Sequence, residues 1–291
     1  MHYLIGFMIA LFIALTGVGA GTITVPVLVL FLGVPAPLAV GIGLTFAAAV
    51  KSILFPVQVA QRNVAWKTLG FMLLGGVPGV LAGSLFLKHL ASIGSMNLLN
   101  SLLGAVLVTT AGFQMVSFFR PQTQSRTPYD RSPWLVWVML PVGVEVGFSS
   151  AGAGALGSSA LLTLTPLEPA KVIGTDIAFG FIVSLLGSGV HWFNGSADPG
   201  LLMQLVAGGA VGAVSGAMLS AHLPRRPLRL ALLLWLLLLG GQFLFNSYKL
   251  WAAPHKVTLH QREPQLQSDG RGASSSEPRT VGAPRDHGVR L

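Results

Sequence analysis

Apolar residues fill most of the chain in long runs, separated by short polar stretches. Eight such segments are visible, at 3–32, 38–60, 68–87, 96–119, 134–165, 172–193, 200–221 and 228–251. A hydrocarbon core of about 30 Å needs about 20 apolar residues per helix, so each is long enough to cross it. Two are too long for one rod. Residues 4–32 carry no charge over 29 positions, and 134–165 runs for 32. A straight helix of that length measures about 45 Å at 1.5 Å per residue. Both contain glycine-rich interruptions, "GVGAG" and "SSAGAG", where helix propensity falls by about 1 kcal/mol per glycine. The pattern predicts an all-α integral membrane protein with about eight transmembrane helices. The first segment of each half is broken or re-entrant.

The halves repeat. "RPQTQSRTPYDRSP" at 120–133 is polar and rich in proline, and it separates residues 1–119 from 134–253. Gly19 and Gly21 pair with Gly152 and Gly154, and "GGVPGVLAGSLFLKHL" at 75–90 pairs with "GGAVGAVSGAMLSAHL" at 208–223, at one offset of 133. Gly75, Gly79 and Gly83 then fall on Gly208, Gly212 and Gly216. Such rows put glycine on one helix face, where backbones approach closely. Internal duplication recurs in transporter folds. The sequence therefore predicts two repeats of four helices, parallel if every segment crosses and inverted if the first of each is re-entrant. The tail at 254–291 has few large apolar residues and reads as disordered.

Composition agrees: 52% hydrophobic, 9% charged, mean hydropathy +0.70. The net charge of +9 raises the question of nucleic acid. No Lys/Arg stripe interleaves with stacking aromatics, however, so a nucleic-acid partner is not expected. The basic residues sit between apolar runs, where they set membrane orientation. With eight simple crossings and a cytoplasmic amino terminus, Arg62, Lys67, Arg120, Arg126, Arg131 and the seven from Lys249 onward lie inside. Lys88, Lys171, Arg225, Arg226 and Arg229 lie outside. That count predicts a cell (inner) membrane protein with both termini cytoplasmic. The start "MHY" lacks the basic region of a signal peptide, and the apolar run continues to Leu32. There is no cysteine, which removes thiol chemistry and zinc-thiolate sites. No P-loop appears either, so ATP hydrolysis by this chain is not expected. Neither a cofactor nor a metal is implied.

Four titratable side chains fall within apolar segments: Lys51, Glu145, Asp176 and His191. A charge at a helix centre costs at least about 2.5–3.5 kcal/mol, so each needs a partner, water or neutralisation. Glu145, Asp176 and His191 are the candidates for handling protons as a coupling ion. Lys51 is the candidate charge complement for an anion. A break at bilayer depth exposes backbone N–H groups, and the half-helix starting there aims its positive dipole end at the site. Two breaks could thus form one site for a small anionic substrate. The candidates are the backbones of Gly17, Gly19, Gly21, Gly152 and Gly154, with hydroxyls from Thr16, Thr22, Thr24, Ser149 and Ser150.

These residues resemble the TSUP family of sulfite and organosulfonate transporters, also called TauE/SafE-like permeases. The likeness lies in "TGVGAGTITVPVLVLFLGVPAPLAVGIGLTFAAAVKS", "GGVPGVLAG", "GAGALGSSALLTLTPLEPAKVIGTDIAFG", "HWFNGSADPGLL" and "HLPRRPLR", and spans roughly residues 4–250. It implicates Gly17, Gly19, Gly21 and Lys51 in the first half, and Gly152, Gly154, Thr175, Asp176 and His191 in the second. It implies a non-enzymatic carrier of small sulfur-containing anions, driven by protons. Two other classes compete. One is an intramembrane serine protease using Ser149 or Ser150 with His191, which would leave the first-half break unexplained. The other is a non-transporting scaffold or assembly factor. The sequence leaves open a homo-oligomer, the choice of anion and the direction of transport.

Overall fold

The computed structural model describes residues 2–16, 20–94, 96–119, 130–152, 154–193, 199–219 and 225–252. One unit comprises Met1–Leu250, and a second begins at Trp251. The disordered tail predicted at 254–291 and most of the 120–133 linker lie outside the described residues. Among the described residues there are ten α-helices: α1 (His2–Thr16), α2 (Ala20–Leu32), α3 (Ala36–Ala60), α4 (Trp66–Ser92), α5 (Met96–Phe119), α6 (Leu135–Ser149), α7 (Ala155–Leu164), α8 (Pro169–Phe193), α9 (Pro199–Leu219) and α10 (Arg225–Ala252). The overlong segments 3–32 and 134–165 are each two helices. Among the described residues, six helical stretches are long and apolar enough to cross a membrane: Ala36–Ala60, Trp66–Ser92, Asn97–Phe119, Ser132–Ser149, Pro169–Trp192 and Pro199–Gly216. His2–Leu15, Gly21–Leu32 and Leu233–Phe245 are shorter apolar stretches.

Glycine rows weld the helices in pairs. A Cβ at Gly75, Gly79 or Gly83 of α4 would overlap the carbonyl oxygens of Val136, Leu140 and Val144 of α6 in turn. Numbers rise together on both helices, so α4 and α6 run parallel. On the other side Gly208, Gly212 and Gly216 of α9 meet Tyr3, Phe7 and Leu11 of α1 in the same order. Removing a side chain lets two backbones touch, which is how helices gain dispersion contact where lipid offers no hydrophobic drive.

Helices α3 and α8 cross at the centre. Trp192 Nε1 donates to Thr45 Oγ1 at 3.1 Å, Gly187 packs on Leu44, Lys51 lies on Gly180, and Phe55 stacks on Phe181 with ring centroids 5.3 Å apart. Here numbers fall on one helix as they rise on the other, so the two run antiparallel. Phe179 of α8 fills the space a Cβ on Gly76 would take, and Phe46 of α3 does the same at Gly209. Both pairs are related by the sequence offset of 133. Phe46, Phe179, Leu44 and Met72 are fully buried there.

The paired short helices turn back on themselves. Arg131 N–H, just before α6, donates to the carbonyl of Leu164, the last residue of α7, at 3.0 Å. The chain thus enters α6 and leaves α7 at one level. Asp130 fixes that entry by accepting from the hydroxyl and the N–H of Ser132. Those hydrogen bonds hold its carboxyl below the ordinary aspartate range. In the first half α2 joins α3 through residues 33–35 alone, and Val25 Cγ2 lies where Gly43 has no side chain. That short link reverses the chain between α2 and α3.

Candidate functional site

The second break is built from an α6 C-terminus that never finds a glycine cap. Ser150 adopts φ +61°, the left-handed conformation usual for glycine after a helix. A non-glycine residue held there costs about 1–3 kcal/mol and persists only where its surroundings dictate it. Its N–H bonds the carbonyl of Val146 at 2.8 Å, while Ala151 N–H is taken by Ser149 Oγ at 3.2 Å. Gly152 follows at φ +84°, and α7 restarts on the carbonyls of Gly152 and Gly154. Ser150 Oγ is buried and makes no hydrogen bond with protein.

The first break faces this one. A Cβ on Gly21, in the first turn of α2, would overlap the carbonyl and hydroxyl of Ser150. From α3, Gly43 also leaves its side-chain space to Ser150 Oγ, 3.1 Å from where a Cβ would stand. Thr22 and Thr24 are buried on the same short helix. The structure therefore brings Gly21 of one break onto Ser150 of the other. Gly17, Gly19 and the side chain of Thr16 lie outside the described residues.

The titratable candidates surround the breaks in three separate settings. Glu145, on the last turn of α6, accepts from the hydroxyl of Thr110 on α5. Its carboxyl lies against Gly152, where a Cβ would come within 2.7–2.9 Å of the carboxyl atoms. Asp176 on α8 is 7% exposed; Ser158 Oγ of α7 donates to its Oδ2 at 3.0 Å, and Oδ1 has no partner. Lys51 reaches across from α3 until its ammonium rests on Gly180, one turn beyond Asp176 on α8. His191 lies beside the carbonyl of Gly147, a turn before Ser150, and its Nε2 is buried with no hydrogen-bond partner in the protein.

Two of the predicted residues have structural duties. Thr175 Oγ1 accepts the N–H of Ala65 at 2.9 Å, which ties the α3–α4 turn to α8. Ser149 Oγ donates to the Glu145 carbonyl at 3.0 Å within its own helix. Among the described residues no hydrogen bond joins His191 to Ser149 or Ser150, the contact a serine nucleophile and its base require. Thr110, Ser158 and Gly43 are site residues that reading the sequence missed. Each is a small residue whose meaning comes from the helix opposite.

Comparison with known proteins agrees with this geometry. The family model described as "Sulfite exporter TauE/SafE" matches residues 3–243. A relative in Bacillus subtilis (strain 168), described as "Probable membrane transporter protein YjnA", is 26% identical over 177 residues, covering 58% of this chain and 70% of the relative. No solved structure matches the chain. The family match runs through both breaks and every crossing helix but the end of α10: this chain is a multi-pass membrane protein of the sulfite exporter TauE/SafE family.

Proposed function

We propose that the chain is a secondary transporter that carries small sulfur-containing oxyanions, sulfite or an organosulfonate, through the waist where the two breaks meet. The apposition of Gly21 and Ser150 is the observation that carries this reading. A negative solute at that point would meet half-helix N-termini from both halves, α2 and α7, each with a positive dipole end. The free hydroxyl of Ser150 adds a donor, and Lys51 adds a compensating charge on the adjoining interface. Glu145 and Asp176 are the carboxyls placed to take up a proton with each cycle.

The helix directions favour inverted repeats. Helices α3 and α8 are equivalent by the 133 offset yet run antiparallel, as expected of repeats related by an axis in the membrane plane. The bond from Arg131 to Leu164 supports α6–α7 as a re-entrant hairpin, and α1–α2 is its counterpart. At 15 residues α1 extends about 22 Å, short of the hydrocarbon thickness. Ser132–Ser149 is long enough to cross, and reads as re-entrant on the Arg131–Leu164 bond and its equivalence to α1. Each repeat then crosses three times.

This arrangement redistributes the basic residues. Arg62, Lys67, Arg120, Arg126, Arg131, Lys171, Arg225, Arg226 and Arg229 all come to one side. Before Lys249, only Lys88 lies on the other. Counted close to the helix ends, the other side also takes Lys249, Lys256 and Arg262, still fewer than the first, so the positive-inside rule makes the first side cytoplasmic. Both termini therefore face away from the cytoplasm in this reading, opposite to the orientation that eight simple crossings imply.

Counterflow in proteoliposomes tests the substrate assignment. Vesicles loaded with unlabelled sulfoacetate or sulfite should accumulate labelled sulfoacetate or sulfite, and those loaded with chloride should not. Equal uptake from both loadings would reject the assignment.

A further inference from the structure

Gln114 is 2% exposed, and neither its amide oxygen nor its amide nitrogen has a hydrogen-bond partner. Leaving such a group unsatisfied costs about 1–3 kcal/mol, so its retention calls for a ligand. It stands four residues after Thr110, on the same face of α5. Thr110 donates to Glu145, and the Glu145 carboxyl abuts Gly152. Polar groups thus run from α5 to the second break. At the 133 offset, the counterparts of Glu145 and Thr110 are Phe12 and Phe243. The counterpart of Gln114 is Ser247, so it is the carboxyl and the hydroxyl beside it that have no polar equivalent in the other half.

We propose that Gln114, Thr110 and Glu145 form a proton-loading compartment on the α5 side of the second break, with Gln114 positioning the Glu145 carboxyl. The ligand class follows from the amide. A metal cation held by oxygens would leave the Gln114 N–H groups unpaired and repelled. A water uses both ends, accepting from Nε2 and donating to Oε1 and to the carboxylate, and an arriving proton is passed through it. Loading is a proton transfer from hydronium to the Glu145 carboxylate, which forms a carboxyl O–H and releases water; unloading at Gly152 is the reverse. Helices α5, α6 and α7 hold no other titratable side chain. Helix α4 contributes Lys67, Lys88 and His89, all exposed. Helix α8 contributes exposed Lys171, Asp176 held by Ser158, and His191 beside the Gly147 carbonyl. Helix α10, packed on Gly104 of α5 through Phe243 and Leu244, contributes exposed Tyr248 and Lys249.

The compartment rests on the transport reading for its purpose, and its test needs no substrate. The full chain in liposomes is treated with a hydrophobic carbodiimide, which reacts with protonated carboxyls, and modification of Glu145 is followed by mass spectrometry against pH. In Gln114→Leu, loss of the amide that holds the water donating to the carboxylate should move the midpoint upward by about one pH unit. Gln114→Asn keeps the amide and should fall between Gln114→Leu and the native chain; it carries the test alone if the leucine variant does not fold. An unchanged midpoint in the variants overturns the proposal. So does protection of Glu145 by sodium at fixed pH, which would mark a metal-cation site. A native chain that carries no anion but shows the midpoint shift would sink the transport reading and leave the compartment standing.

Discussion

Gly21 is the residue on which the site turns, because a side chain there has nowhere to go. Its Cβ would overlap backbone and hydroxyl atoms of Ser150, and backbone cannot swing aside as a flexible side chain can. Gly21→Val should therefore lower anion counterflow at least about tenfold, as expected when a misplaced group disturbs a positioned site. Gly70 on α4 is a matched control, since a Cβ there meets nothing within 4 Å. Gly70→Val should retain flux close to the native rate. Much of this was legible from residues alone. Glycine breaks, serine hydroxyls and intramembrane charges all stand out against an apolar background. Thr110, Ser158 and Gln114 did not, because a hydroxyl or amide in a span is ordinary until its partner, or its lack of one, is known. The partner of Thr175 was equally hidden: its hydroxyl accepts from Ala65 N–H, 110 positions earlier.

At the scale of helices, glycine rows set both the pairing and its cost. Gly79 meets Leu140 O, and its counterpart Gly212 meets Phe7 O. Alanine at either position must push two backbones apart, an overpacking penalty of about 1–3 kcal/mol. Gly79→Ala and Gly212→Ala should lower thermal stability by similar amounts, measured on purified protein in one detergent. A cost at one site only would argue against equivalent packing in the two halves. Helix existence was legible from hydropathy, and the two breaks from glycine clustering. Helix direction was not. Apolar runs carry no sign, so the antiparallel crossing of α3 and α8 and the return of α7 beside the start of α6 emerge only from contacts. Counting the overlong segments as crossings also put Lys88 and Lys171 on the same side.

Across the whole molecule, the proposed orientation rests on those directions and on the positive-inside rule. The chain contains no cysteine, so single cysteines report position without a background. Lys171→Cys should be hidden from an impermeant maleimide in intact cells and become labelled after lysis. Lys88→Cys should be labelled in intact cells. The reverse pattern would restore a cytoplasmic amino terminus. The central claim, that the paired breaks line the route of a negative solute, is tested most directly at Ser150. In Ser150→Cys, as the sole cysteine, reaction with a charged methanethiosulfonate should proceed in the folded protein and slow severalfold in sulfoacetate but not in chloride of equal ionic strength. Reaction only after denaturation, or at a rate indifferent to sulfoacetate, would contradict it.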